Sequence, residues 1–327
     1  MRKTAREPVG SAELRAGETR VVIAPSLGGR IISLEMAGRE WLWQNPAVSA
    51  RQPDDDAPYT VATDGGGYDE CFPTVGACTI PTWIPRYGGV ELPEHGELWS
   101  RSTEFTLETQ PRGADGGALR ARCIWEGERM PYRFERTVCV EPSGAAVMSY
   151  AVLNTGAERL PFLWAAQPLM PLTPATRLLL PEGMRVRVFA QQGIELFGPN
   201  AEHIWPRLRT AAGVVDLSHP DAVGQRYACT LFFDMKVGQA AVEEGSARLT
   251  VTFDVHDVPN MGLWINKRGW GPFRRRSSAH LALAPCIGAP DTLSDALGAW
   301  NAVHWLEPGE TRRWTLRWSG EHVVPLD

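Results

Sequence analysis

The chain has 327 residues, 43% of them hydrophobic and 22% charged, with a formal net charge of −5. That composition is ordinary for a globular protein, and the acidic balance argues against a nucleic-acid partner, which needs a basic face. No apolar run approaches the ~20 residues that cross a bilayer, and the polar start Met1–Pro8 lacks the apolar core of a signal peptide, so no membrane partner is expected.

Periodicity predicts strands almost throughout. Glu18 to Ile23 runs into the turn Pro25-Ser26-Leu27-Gly28-Gly29, and Ile31 to Met36 resumes as far as Gly38. Trp41-Leu42-Trp43 is a short apolar run, and the polar, proline-bounded 51–58 predicts a loop. The glycine run at 65–67 leads into Tyr68-Asp69-Glu70-Cys71-Phe72-Pro73, but it lacks the G-x-G-x-x-G spacing of a dinucleotide site. These glycines let backbone approach a ligand or a neighbouring strand. Asp69 and Glu70 are adjacent, so in a strand only one of them can point into a given cleft.

The segment Pro93-Glu94-His95-Gly96-Glu97-Leu98-Trp99-Ser100-Arg101 concentrates chemistry. It joins a titratable imidazole, two carboxylates, an indole and a guanidinium in a proline- and glycine-bearing loop or strand end. Thr103 to Thr109, Ala118 to Trp125, Tyr132 to Val140 and Ala146 to Asn154 then alternate as successive antiparallel strands. Their connections, Glu126-Gly127-Glu128 and Pro142-Ser143-Gly144, are hairpin-like, and Pro111-Arg112-Gly113 is a turn.

Pro161 to Met170 is an apolar strand interrupted by one amide, Gln167, which must satisfy backbone groups or meet a ligand. Leu178 to Glu182 reads as a short strand, and 193–218 is less regular. Tyr227 to Asp234 and Ala247 to Val255 restart the alternation. Asn260 to Asn266 puts Trp264 and Asn266 on one strand face. His280 to Ala284 follows the basic run Arg274-Arg275-Arg276, which predicts an exposed loop. Thr292 to Trp300 is the best helix candidate, with Asp295 in its first turn, and Arg313 to Trp318 is a last strand. Many short, evenly punctuated strands without a linker or repeat indicate an all-β fold: one large antiparallel β-sandwich spanning residues 1–327 as a single domain.

Six scattered cysteines, at 71, 78, 123, 139, 229 and 286, form no C-x-x-C pair, which argues against a zinc knuckle and fits reduced thiols in the cytoplasm. Thirteen tryptophans are informative, because indole faces suit both β cores and the C–H faces of sugars. His95 and Glu97 form an H-x-E pair, but no further His lies within ten residues, so no metal and no other cofactor is expected. No G-x-S-x-G elbow marks a serine hydrolase. Glu70, Glu97, Glu182 and Asp291 are carboxylates that a glycosidase would pair across a cleft, and spacing alone does not pair them.

The order of segments resembles the aldose 1-epimerase, or galactose mutarotase-like, family. The matching pieces are Leu27 to Arg30, Gly66 to Pro73, His95-Gly96, Phe162 to Pro168, Leu263-Trp264, Ala282 to Pro290, and Pro308-Gly309 with Trp314. His95-Gly96 and the strand around Ala284-Pro285 are the most specific. The resemblance implies a β-supersandwich with an open sugar cleft and interconversion of α and β anomers through ring opening. It also implies an acid His on the strand that reads Leu163 to Pro168, and a base Glu on the strand that reads Leu281 to Pro285. On that resemblance the chain reads as a divergent member, with Gln167 and Ala284 at those places. Glutamine does not titrate and alanine has no polar side-chain atom.

Three functions fit these residues. In the first, the protein binds a small-molecule sugar and the family's standard catalysis is lost or rebuilt. His95 and Gln167 then hydrogen-bond the sugar, Arg30 and Arg101 contact hydroxyls or an anionic substituent, Trp99, Trp164 and Trp264 stack, and Asn266 shares their face. In the second, it is an active epimerase in which His95 is the acid and Glu70, Glu97 or Glu182 a relocated base. The third is a partner-binding module with an aromatic surface.

Overall fold

The computed structural model describes residues 10–45, 59, 65–109, 119–193, 196–198, 202–210, 213–271 and 278–324. The loop expected over 51–58, the turn at 111–113 and the arginine run 274–276 lie outside the described residues.

Alternation decides the layers. Tyr132–Val140 is buried at every second residue and partly exposed between, and Ala146–Asn154 repeats that pattern. Such strands have one face in the core and one toward solvent. They belong to an eight-stranded antiparallel sheet in which Ala146–Asn154 pairs with Thr311–His322, so the last strand closes against the middle of the chain.

The second sheet is larger and behaves differently. Along it run Arg30–Met36, Tyr68–Cys71, Trp164–Pro171, Ala279–Ile287, Asn260–Lys267, Tyr227–Asp234 and Arg185–Gly193 as hydrogen-bonded neighbours. Ala279–Ile287 is buried at every position after its first. A strand covered on both faces reads as a continuous apolar run, which is why 280–287 shows no polar alternation. One face of this sheet packs on the eight-stranded sheet. There Trp164, Tyr150 and Trp314 form a triangle of rings with centroids 4.8–5.4 Å apart. The other face is lined by small side chains, Cys71, Ala165 and Cys286, packed with Phe232 and Ala289. Small residues on a concave face leave a hollow above them.

The irregular stretch 193–218 holds three short strands that weak periodicity did not reveal: Glu202–Ile204, Arg207–Thr210 and Gly213–Asp216. Strands Ala12–Ala16, Arg185–Gly193 and Gln239–Glu244 also go beyond the sequence expectation. The helix is shorter than expected, Leu293–Leu297, because Thr292 caps its start and Gly298 ends it.

Candidate functional site

The hollow on the concave face is a cavity of about 240 Å³. Its rim and floor bring together His95, Gln167, Trp264 and Ala284 from distant parts of the chain. Strand register explains the meeting. Gln167 pairs with Asp69 on one side, and Ala284 pairs with Gly262 on the other. Between them, the pairs Ala165↔Cys286 and Leu169↔Ala282 share one register, so Gln167 stands opposite Ala284. Asp69, Gln167, Ala284 and Gly262 therefore form one row across the sheet on a single face.

His95 is held by its backbone. Its φ is +62°, a left-handed conformation rare for a side-chain-bearing residue. Its N–H donates to the Val75 carbonyl at 2.6 Å, and the following Glu97 N–H donates to Phe72 O at 2.9 Å. Gly96 has φ +71°, and a Cβ there would fall 2.0 Å from the Phe72 carbonyl oxygen, so only glycine fits. The imidazole packs tilted against the Tyr59 ring, with ring centroids 3.6 Å apart. Its Nδ1 is buried without a hydrogen-bond partner. Burial pulls its pKa down to about 4, partly countered by the nearby Asp69 carboxylate, so the ring is neutral near pH 7.

Asp69 is the member of the adjacent acidic pair that shares the cavity face, and it is fully engaged. Arg30 clamps it with Nε–Oδ1 at 2.7 Å and Nη2–Oδ2 at 2.8 Å, and the Tyr59 hydroxyl donates to Oδ2 at 2.8 Å. Arg30 is thus a buried clamp beside the Tyr59 ring rather than a cavity-facing cation.

Several expected site residues point elsewhere. Glu70 lies one residue from Asp69 and therefore on the opposite face, in the inter-sheet core. It accepts from Trp164 Nε1 at 2.9 Å and Tyr150 OH at 3.0 Å, and pairs with buried Arg136 at 3.2 Å. Burial pushes its carboxyl up to about 7 against the pull of Arg136. Glu97 is buried too, accepting from Tyr132 OH at 3.0 Å and the Arg129 amide at 3.0 Å. It fastens the His95 loop to the smaller sheet. Glu182 sits exposed in a turn and does not line the cavity. None of the three is positioned as a base there.

Trp164 borders the cavity, but its indole is turned into the core by the Glu70 bond and the Tyr150–Trp314 triangle. Trp99 is buried below the loop, donating from Nε1 to the Glu94 carbonyl at 2.8 Å. Arg101 pairs with Glu128 at 2.6 Å and Glu97 at 3.4 Å, beside a different hollow. Asn266 is fully buried and structural. Its side chain accepts from the Gly269 and Trp270 amides and donates to the Trp270 carbonyl, shaping the turn that carries Trp270 to the cavity. Trp264 does line the cavity, and its ring meets Trp270 edge-on at 6.0 Å.

Sequence reasoning missed His280 and Trp270. His280 lines the cavity stacked on Trp43, with ring centroids 4.6 Å apart, and its Nδ1 is 3.0 Å from Ser278 Oγ. Its burial lowers its pKa to about 4. The signal was present, since 280, 282, 284 and 286 alternate onto one face of one strand. Asp291 also lines the cavity, and burial pushes its carboxyl up to about 7, with the charge of Asp295 adding to the rise. Among the described residues no three His, Cys, Asp or Glu side chains group as a metal site. No helix is long and apolar enough to cross a membrane there.

No protein-family model matches the sequence, and no curated protein is similar to it. Solved structures are similar over nearly the whole length. The Slr1438 protein of Synechocystis sp. PCC 6803 is 16% identical, with a TM-score of 0.66 and coverage of 98% of this chain and 99% of that one. The galactose mutarotase related enzyme of Lactobacillus acidophilus is 14% identical, with a TM-score of 0.60 and coverage of 96% and 100%. A galactose mutarotase-like protein of Clostridium acetobutylicum is 13% identical, with a TM-score of 0.59 and coverage of 95% of each chain. The chain has the fold of the galactose mutarotase-like proteins, a large antiparallel β-sandwich, with sequence divergence to match. At such identities the likeness is one of fold.

Proposed function

We propose that the protein is a carbohydrate-binding, aldose 1-epimerase-like protein that holds a monosaccharide in the concave cavity. The couple expected from the family, an acid His and a base Glu, is replaced by Gln167 and Ala284, so these two positions cannot supply that acid–base pair. The observation that carries this is the convergence of His95, Gln167, Ala284 and Trp264 on one cavity. At about 240 Å³ it lies below the ~300–1,000 Å³ of sites for drug-sized ligands, which suits a single sugar ring. Trp264 and Trp270 offer apolar faces, while Gln167, Gln192 and Thr230 offer hydrogen-bonding edges. Six free cysteines support a reducing compartment such as the cytoplasm.

Thermal shift with a panel of aldoses tests it. A ligand at 100 times its Kd adds ~2.7 kcal/mol of stability, which raises the melting temperature. A panel of hexoses and pentoses that leaves the melting temperature unmoved overturns the proposal.

A second possibility, an active sugar-processing enzyme using His95, is favoured by the buried, unpartnered Nδ1 of that residue at the cavity. It needs a carboxylate other than Glu70, Glu97 and Glu182.

A further inference from the structure

The cavity contains such a carboxylate. Asp291 follows the strand that carries Ala284, and its backbone is tied down by the adjoining segment 74–76. Its carbonyl accepts from the Val75 amide at 2.9 Å, the Gly76 amide at 2.7 Å and Thr74 Oγ1 at 3.3 Å. Val75 is also the residue whose carbonyl receives the His95 amide, so one peptide unit positions both groups. Among the described residues the carboxyl oxygens of Asp291 have no hydrogen-bond or ion-pair partner. Three fully buried carboxylates near this site are engaged instead: Asp69 by Arg30 and Tyr59, Glu70 by Arg136, and Glu97 by Tyr132.

We propose that Asp291 carries proton transfer at the anomeric centre of a cyclic sugar hemiacetal, using both oxygens of one carboxylic acid. This rests on the cavity being the sugar site. The acid proton passes to the ring oxygen as the bond from that oxygen to C1 breaks, and the bonding pair stays on the ring oxygen. The anomeric hydroxyl gives its proton to the other carboxyl oxygen as the C1–O1 double bond forms. The carboxylic acid is regenerated with its proton on the second oxygen. Rotation about C1–C2 and reversal of the same steps yields the other anomer. No cofactor and no net proton exchange with water is needed.

The surroundings suit this role. The buried imidazoles His95 and His280 are neutral near pH 7 and are poor acids there. Asp291 faces Asp295 from the helix, Cys286 from its own strand, Cys71 from the neighbouring strand, and Glu94 with His95 from the loop. None of these is a cation near pH 7, so nothing in that set forces Asp291 to ionise. A bifunctional acid works only while protonated, so the rate falls as pH rises through about 7. A simple general base would give a rate that rises through the same range.

Polarimetry on freshly dissolved α-D-glucose, α-D-galactose and α-D-xylose, with calorimetric binding of the same sugars, tests the proposal. The wild type is expected to exceed the buffer rate for a sugar that it binds. Asp291→Asn is expected to lower that rate ~10²–10⁴-fold with Kd changed less than threefold, while Asp291→Glu retains part of the activity. An Asp291→Asn rate equal to wild type overturns the proposal, as does a rate that rises with pH through 7. A wild type that binds a sugar but leaves its mutarotation at the buffer rate overturns the role of Asp291 and leaves the binding site standing. Binding of none of the three removes both.

Discussion

Gln167 and Ala284 face each other across neighbouring antiparallel strands, bracketed by the pairs Ala165↔Cys286 and Leu169↔Ala282. Side chains so placed lie ~4.5–5.5 Å apart at Cβ, close enough to act on one sugar ring. Beside Ala284 stands Gly262, which carries no side chain, so only backbone adjoins the Ala284 methyl from that strand. The double variant Gln167→His with Ala284→Glu is expected to raise the mutarotation rate at least ~10-fold over the wild type, recovering part of the ~10²–10⁴ that an acid–base couple supplies. Polarimetry at pH 7 reads the gain, and a rate at or below the wild type counts against these two positions.

Trp264→Ala is expected to weaken sugar binding ~10-fold, which corresponds to ~1.4 kcal/mol, because it removes an apolar wall of the cavity. Isothermal titration calorimetry measures it. Asn266→Ala is expected to cost ~1–3 kcal/mol of stability, since two amides lose their acceptor, and to weaken binding as well by releasing Trp270.

Glu70→Gln separates core from site. Above pH 7, where Glu70 is ionised, it leaves the Arg136 guanidinium buried without its counter-charge, a change of the kind that costs ~3–5 kcal/mol. Denaturant melts should show that loss. The surviving folded protein should bind sugar with unchanged affinity, because Glu70 faces away from the cavity.

Asp291→Asn should stabilise the protein in a pH-dependent way. The wild-type carboxyl titrates near 7 when folded, against about 3.8 as the ordinary value. Between those two values the folded state binds more protons than the unfolded state, so stability from this group falls as pH rises through that window. The melting temperature of Asp291→Asn should match the wild type near pH 4 and exceed it at pH 8. A constant offset across that range would show that the carboxyl is not perturbed.

Gly96→Ala should act on the site through the backbone. The new Cβ would collide with Phe72 O at 2.0 Å and sit at φ +71°, so the His95 loop must shift. Loss of sugar binding together with a lower melting temperature is the expected outcome.

The β-sandwich was legible in the sequence, because strand alternation is a local property and Tyr132–Val140 and Ala146–Asn154 display it without interruption. The opposed orientations of Asp69 and Glu70 followed from the same period of two. Which of the two met the cavity did not, since that depends on which face of the strand the second sheet covers. Glu70 and Glu97 look like catalytic carboxylates in one dimension, but each is consumed by a partner far along the chain, Arg136 and Tyr132. His280 and Asp291 entered the cavity only through the register of Ala279–Ile287 and the tie from Val75 to the Asp291 carbonyl. Residue types and strand period are written locally. The pairing of charges and the burial that shifts a pKa belong to contacts between segments far apart in sequence, and only the folded chain sets them.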